Sequence, residues 1–306
     1  MLLFWKKAAS MARLWNSAFA LLLVTGGLLG LTLPFGKLAG GAGLPAMVWA
    51  LVISLGTGLV LLGVLAVRRV PFRLTTHRLR YFIIAAAVSY AIPNVLLLSA
   101  IPHLGAGYTG IMFTLSPVLT LLLSMLTGLR RPSPLGVAGI AVGFIGAVLV
   151  AVTRGGAGQA ADLFWVAIAL LVPVSLAAGN IYRTMDWPAG TGPIELAAGS
   201  HLAAAAMLVA GLAVSGDIEA VSMLGEVPLL VAAQVAASAA MFAFFFRLQA
   251  VGGPVYLSQI GYVGAAIGLI SGILFLDERY ALLTWIGAGI IGLGVAMTTR
   301  AQRQAA

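Results

Sequence analysis

Runs of about twenty apolar residues, separated by short polar or Pro- and Gly-rich breaks, recur along the chain, and that length matches the hydrocarbon thickness a helix must cross. Stretches such as 202–210 and 229–233 are apolar at every position, whereas a transmembrane barrel strand alternates apolar and polar residues. Helices are therefore expected. Only 8% of the 306 residues are charged, against about a quarter in a soluble domain, which excludes an ordinary soluble protein. The chain reads as an all-α integral membrane protein.

Apolar length and helix breakers place ten spans at 14–33, 45–67, 79–100, 104–128, 134–153, 162–183, 193–215, 226–248, 252–276 and 281–300. Pro34, Gly36 and the glycines near 40–43 are expected to end the first, and Pro132 and Pro134 to separate the fourth from the fifth. No loop is long enough for an extramembrane domain. Lys6, Lys7 and Arg13 before an apolar run resemble a signal peptide, but the run is long enough to span and lacks a clear cleavage site. With the N-terminus inside, 14 of the 17 basic residues fall on the cytoplasmic side, Arg183 among them, and only Lys37, Arg154 and Arg279 fall outside. That asymmetry predicts two cytoplasmic termini.

The net charge of +9 does not indicate nucleic-acid binding, because the basic residues sit singly or in small groups between apolar spans. Absence of cysteine excludes disulfides, thiolate metal sites and cysteine nucleophiles. No His-Glu-x-x-His and no phosphate-binding Gly-x-x-x-x-Gly-Lys-Ser/Thr loop is present, and the aspartates lie at span ends or in loops. Ser200 and His201 are consecutive and diverge by about 100° on a helix, so they make no nucleophile and base pair. Neither an intramembrane enzyme nor a nucleotide-driven pump is expected, nor any cofactor or metal.

The segment 104–150 can be laid on 251–298. Each copy starts at a glycine (Gly105, Gly252), continues through an apolar span to a charged turn (Arg130-Arg131, Asp277-Glu278-Arg279) and ends in a Gly-rich helix where Gly139 matches Gly287 and Gly146 matches Gly294. Five spans per half is an odd number, so halves 1–153 and 154–306 would enter the membrane from opposite sides. Inverted repeats of this kind support alternating access around a midplane site.

Leu276-Asp277-Glu278-Arg279-Tyr280 followed by Trp285-Ile286-Gly287 resembles the charged turn and Gly-rich last helix of the drug/metabolite transporter superfamily, in its ten-helix EamA-type branch. The first half departs from this motif, since Gly128-Leu129-Arg130-Arg131 lacks the glutamate. The resemblance implies an inner-membrane exporter of amino acids and related metabolites, similar to aromatic amino acid exporters.

Polar side chains at membrane depth are costly and are the default site candidates. On the third span these are Tyr90 and Asn94 around Pro93, and on the fourth Tyr108, Met112 and Ser116, four apart and so expected on one face. Proline inside a span frees a carbonyl that a wet cavity or a neighbouring group must satisfy. Asn94 brings two donors and an acceptor that lipid cannot satisfy. Asn180 lies on the sixth span beyond Pro173, His201 on the seventh, Gln234 on the eighth, and Tyr256, Gln259 and Tyr262 on the ninth. His201 reads either as a neutral histidine donating to a neighbouring helix or as a ligand for substrate or proton, and Glu195 reads as a cap. Met241, Phe242 and 244–246 read equally as a cavity wall or a lipid-facing stripe. The aromatics and amides suit a mostly apolar zwitterion, and no Lys or Arg is expected centrally.

Gly26 with Gly30, Gly264, Gly268 and Gly272, and Ala288, Gly292 and Ala296 form small-residue stripes that allow close helix approach. The six tryptophans lie near span ends, as an interfacial belt requires. The function expected is secondary export of a small-molecule substrate by a protein in the inner-membrane bilayer, as a monomer or weak homodimer. The third, fourth and sixth to ninth helices are expected to line the cavity. The alternative is proton-coupled multidrug efflux, although the first span lacks the buried acid on which small multidrug relatives depend.

Overall fold

The computed structural model describes residues 15–129, 133–153, 162–277 and 279–304. Lys6, Lys7, Arg13, Arg130, Arg131, Arg154, Glu278 and Trp5, on which parts of the sequence reading rest, lie outside them. The described residues are helical and contain no strand. In chain order the helices are α1 (Ala18–Gly41), α2 (Ala46–Val67), α3 (Thr76–Leu104), α4 (Ala106–Leu126), α5 (Pro134–Thr153), α6 (Leu163–Met185), α7 (Pro193–Ser215), α8 (Pro228–Ser258), α9 (Ile260–Phe275) and α10 (Leu282–Gln304). A 3₁₀ turn at Ile218–Glu226 precedes α8.

Seven of these, α1 to α4 and α6 to α8, are long and apolar enough to cross a membrane, and shorter apolar helices lie in α5, α9 and α10. The ninth predicted span is shortened because the backbone breaks at Gly253 and again at Gln259. The first runs eight residues beyond its expected end at 33, through Pro34. A lipid-embedded helix tolerates proline where neighbouring groups compensate for the missing N–H.

Local chemistry sets the helix ends. Ser17 accepts from Ala20 N at 3.3 Å, Thr75 from Arg78 N at 3.2 Å and Asp162 from Phe164 N at 3.0 Å, each supplying an acceptor to an otherwise unpaired first-turn donor. Gly192 N donates to Glu195 Oε2 at 2.8 Å, so Glu195 caps α7 as expected. Gly105, between α3 and α4, has φ +83°, a region costly to residues with a Cβ.

Packing is by close pairs: α5 on α10, α2 on α7, α1 on α8 and α9, and α6 on α3 and α4. Glycines bring the backbones together. A Cβ on Gly26 would meet Ile260 O of α9 at 2.9 Å, and one on Gly294 would meet Gly139 O of α5 at 2.7 Å, so Gly26 packs inside the bundle. The expected stripe at Gly292 makes no such approach, because nothing lies within 4 Å of its Cβ position. The helix crossing runs instead through Gly287, Ile291 and Gly294. Large apolar side chains including Phe19, Phe144, Phe164, Leu229 and Phe275 face outward, which suits lipid. Trp49 departs from the expected interfacial belt: it is 1% exposed and packed in the core.

Candidate functional site

At the centre of the bundle lies a cavity of about 60 Å³. Its wall is mainly apolar, with Leu29, Ile53, Leu97, Phe113, Val172, Leu176, Met241, Phe242, Phe245 and Leu257, interrupted by Thr32, Ser89, Tyr90, Asn94, Ser116, Asn180 and Ser258. Among the described residues no Asp or Glu lines it. An apolar enclosure with a few convergent polar groups is the usual form of a small-molecule site. Helices α1, α2, α3, α4, α6, α8 and α9 contribute, while α5 and α10 stay peripheral.

Two prolines shape the polar part of this wall. Pro93 cannot donate a hydrogen bond, and its ring crowds the carbonyl of Ser89 four residues before it. Residues Ala87–Ala91 accordingly widen into a π turn, with Ile92 N bonded to Ala87 O. In a π turn Val88 O would accept from residue 93, which has no N–H. Ser175 of α6 supplies the missing donor, its hydroxyl reaching Val88 O at 2.7 Å. The bulge carries Ser89 and Tyr90 into the cavity wall. In α4, Pro117 likewise leaves Phe113 O without its helical donor, and the helix breaks at 114–115 with Thr114 N bonded to Ile111 O. The closest atom to a Cβ built on Gly261 is that Phe113 oxygen, at 2.7 Å, so only glycine lets α9 approach there.

Arg183 corrects the sequence reading most. It stands in the last turn of α6, at a span end as expected, yet it is 1% exposed inside the bundle, and a buried arginine beside the cavity was not expected. Its Nε donates to Gln249 Oε1 at 2.9 Å, its Nη2 to Asn180 Oδ1 at 2.6 Å and its Nη1 to Ser89 Oγ. The guanidinium also lies 5.0 Å from the Phe245 ring centroid and 5.7 Å from that of Tyr90. Ser89 and Asn180 line the cavity, so the cation stands directly behind its wall. The spacing Asn180-x-x-Arg183 was the available signal, since residues three apart share a helix face.

Of the residues singled out in the sequence, Tyr90, Asn94, Ser116 and Asn180 line the cavity. Tyr90 Oη and Asn94 Nδ2 are buried without a hydrogen-bond partner among the described residues, while Asn180 Nδ2 donates to Thr120 at 3.3 Å. Tyr108 and Met112 lie instead in a separate cluster with Leu104, Ile111 and Val166, because the break before Ser116 ends the face the three were expected to share. Tyr262 packs against that cluster. Gln259 is buried between the cavity-lining Ser258 and Ile260. The side chain of Tyr256 lies outside the described residues.

Helix α7 was expected to line the cavity and does not. His201 is fully buried, 4.2 Å from the Tyr90 ring and 3.9 Å from the Phe242 ring, so these two aromatics separate it from the cavity. Neither of its ring nitrogens, nor the amide of the fully buried Gln234, has a partner among the described residues. Met241, Phe242 and Phe245 prove to be cavity wall.

Beyond Arg183, at one end of the bundle, Asp186 accepts from Tyr182 Oη at 2.7 Å and Arg80 Nη2 at 2.8 Å and pairs with His77 Nε2 at 2.9 Å. Partial burial pushes its carboxyl up, but the Tyr182 and His77 hydrogen bonds and the Arg80 charge outweigh this and hold it below the usual value of 3.8. Arg78 pairs with Glu195 at 3.3 Å beside it. These contacts tie α3 to the α6–α7 connection. At the opposite end Lys37 Nζ donates to Leu276 O at 3.3 Å.

Residues 16–152 match the model of the EamA-like transporter family, so this part of the chain is similar to that family. One solved crystal structure is similar to almost the whole chain, with a TM-score of 0.63 and 22% identity over 93% of this chain and 97% of that one. At that identity the likeness establishes a shared fold. No curated protein matches the sequence.

Proposed function

We propose that this multi-pass membrane protein is a secondary carrier that exports amino acids with apolar or aromatic side chains across the inner membrane by alternating access. The observation that carries the reading is the composition of the central cavity, whose apolar wall suits such a side chain while Ser89, Asn94, Ser116 and Asn180 offer a few polar contacts. The absence of Asp and Glu from the wall among the described residues argues against proton-coupled efflux of cationic drugs.

Alternating access requires two halves that rock against one another, here 1–153 and 154–306 as inverted five-helix repeats, ten spans in all. The packing is consistent with such a repeat. Exchanging α1 to α5 with α6 to α10 turns the pair α1·α8 into α6·α3 and α1·α9 into α6·α4, and leaves α2·α7 and α5·α10 unchanged; all these pairs are present. Gly105 and Gly253 both have positive φ at corresponding places, which moves the glycine match by one residue from the Gly105–Gly252 register. The arginine-rich end with Arg78 and Arg80 lies opposite the end with Lys37, as cytoplasmic termini would require.

Counterflow in proteoliposomes tests the function. Vesicles loaded with unlabelled phenylalanine should accumulate labelled phenylalanine faster than protein-free vesicles, without a proton gradient. Movement of only a cationic dye, and only with a pH gradient, would replace this reading with drug antiport.

A further inference from the structure

Arg183 is a permanent cation, because a guanidinium does not deprotonate in proteins. Burying such a charge is strongly unfavourable unless it is paired. Yet its three hydrogen-bond acceptors, Gln249, Asn180 and Ser89, are all neutral, and no carboxylate among the described residues lies within ion-pair distance. Two of the five guanidinium N–H donors have no acceptor among the described residues. Asp186, one turn further along the chain, is committed to Arg80, His77 and Tyr182 instead. Among the described residues this positive charge therefore has no counter-ion.

We propose that Arg183, acting with Ser89 at the cavity wall, is the subsite for the carboxylate of the transported molecule. This rests on the carrier reading above and names the charged group that the site selects. The Ser89 oxygen accepts from Nη1, which turns its own O–H away from the guanidinium and toward a cavity ligand. Asn94 Nδ2 and Tyr90 Oη, both buried without partners on the same wall, are further donors for an anion. Charge arithmetic selects the ligand class. The carboxylate of an amino acid pairs with the guanidinium and leaves its ammonium to neutral acceptors such as Asn94 and Ser116, whereas a dianionic phosphate would leave an unpaired negative charge among Leu97, Phe113, Leu176 and Phe245, with no cation on the wall to meet it. An amine without a carboxylate would leave Arg183 unpaired and add a second positive charge.

The test is inhibition of phenylalanine counterflow in wild-type proteoliposomes by phenylalanine, phenylalaninamide, phenethylamine and phenyl phosphate, followed by the variants Arg183→Gln, Arg183→Lys and Ser89→Ala. Phenylalanine should compete about tenfold or more better than its amide or the amine, the difference expected of a charge-assisted hydrogen bond. Arg183→Gln should erase this discrimination, Ser89→Ala should reduce it and Arg183→Lys should retain part of it. Equal competition by phenylalanine and its amide in the wild type would overturn the carboxylate subsite while leaving the carrier intact, and stronger competition by phenyl phosphate would make it a phosphate subsite. If wild-type vesicles exchange no amino acid, the carrier reading falls and this proposal with it. The wild-type comparison holds even if Arg183→Gln does not fold.

Discussion

Gly294→Ala should loosen the α5–α10 pair. A Cβ at this position would lie 2.5 Å from Gly143 N, 2.7 Å from Gly143 Cα and 2.7 Å from Gly139 O, all backbone atoms that no rotamer change can move aside. Ordinary contact starts at 3.4 Å, so the two helices must separate by 0.9 Å (3.4 less 2.5) at the crossing. Overpacking of this kind costs roughly 1–3 kcal/mol. For a domain of this size each kcal/mol corresponds to roughly 2–4 °C in melting temperature. The control is Gly292→Ala two residues away, where the new methyl meets nothing within 4 Å. In detergent, with loss of the monodisperse chromatographic peak on heating as the readout, Gly294→Ala should melt several degrees below Gly292→Ala. Gly146→Ala, whose Cβ would stand 2.6 Å from Ile291 N on the reciprocal side of the crossing, should behave like Gly294→Ala. Equal melting of all three variants would refute the reasoning.

Asn94→Ala and Gln259→Ala should each lower counterflow several-fold while leaving expression and melting near wild type; unchanged exchange at matched protein levels would remove both from the site. Val172→Phe, which adds bulk at a 2% exposed position on the cavity wall, should abolish exchange with little effect on melting, and retained transport would mean that the cavity is not the path. Asp186→Asn should destabilise the protein at neutral pH. Because the folded carboxyl titrates below its usual 3.8, its contribution is present above that value and lost as pH falls through the folded value, so the melting difference from wild type should shrink under acid and not under base. A pH-independent difference would contradict that assignment.

Membrane insertion and most helix positions were legible in the sequence because hydrocarbon thickness and unsatisfied backbone groups leave few alternatives, and runs such as 46–67 satisfy both demands. Asn94, Ser116 and Tyr90 were legible because each stands beside a proline or carries a polar group at depth. Arg183 was not. Its position in the last turn of a span made it look like a topology charge, and burial depends on where α8 places Gln249, a contact 66 residues away. His201 was drawn into the candidate site by depth alone, whereas the Tyr90 and Phe242 rings that cover it come from two other helices. The break in α4 is written in Pro117, but its consequence for Tyr108 and Met112 depends on tertiary packing.

The most direct measurement exploits the absence of cysteine from the chain. A single cysteine at Leu97, on the cavity wall, is labelled with a membrane-impermeant maleimide applied from one face or the other of oriented proteoliposomes, with and without phenylalanine. Alternating access expects labelling from each face and a change in the balance of the two rates when phenylalanine is present. Labelling from one face only, at a rate indifferent to phenylalanine, would contradict it.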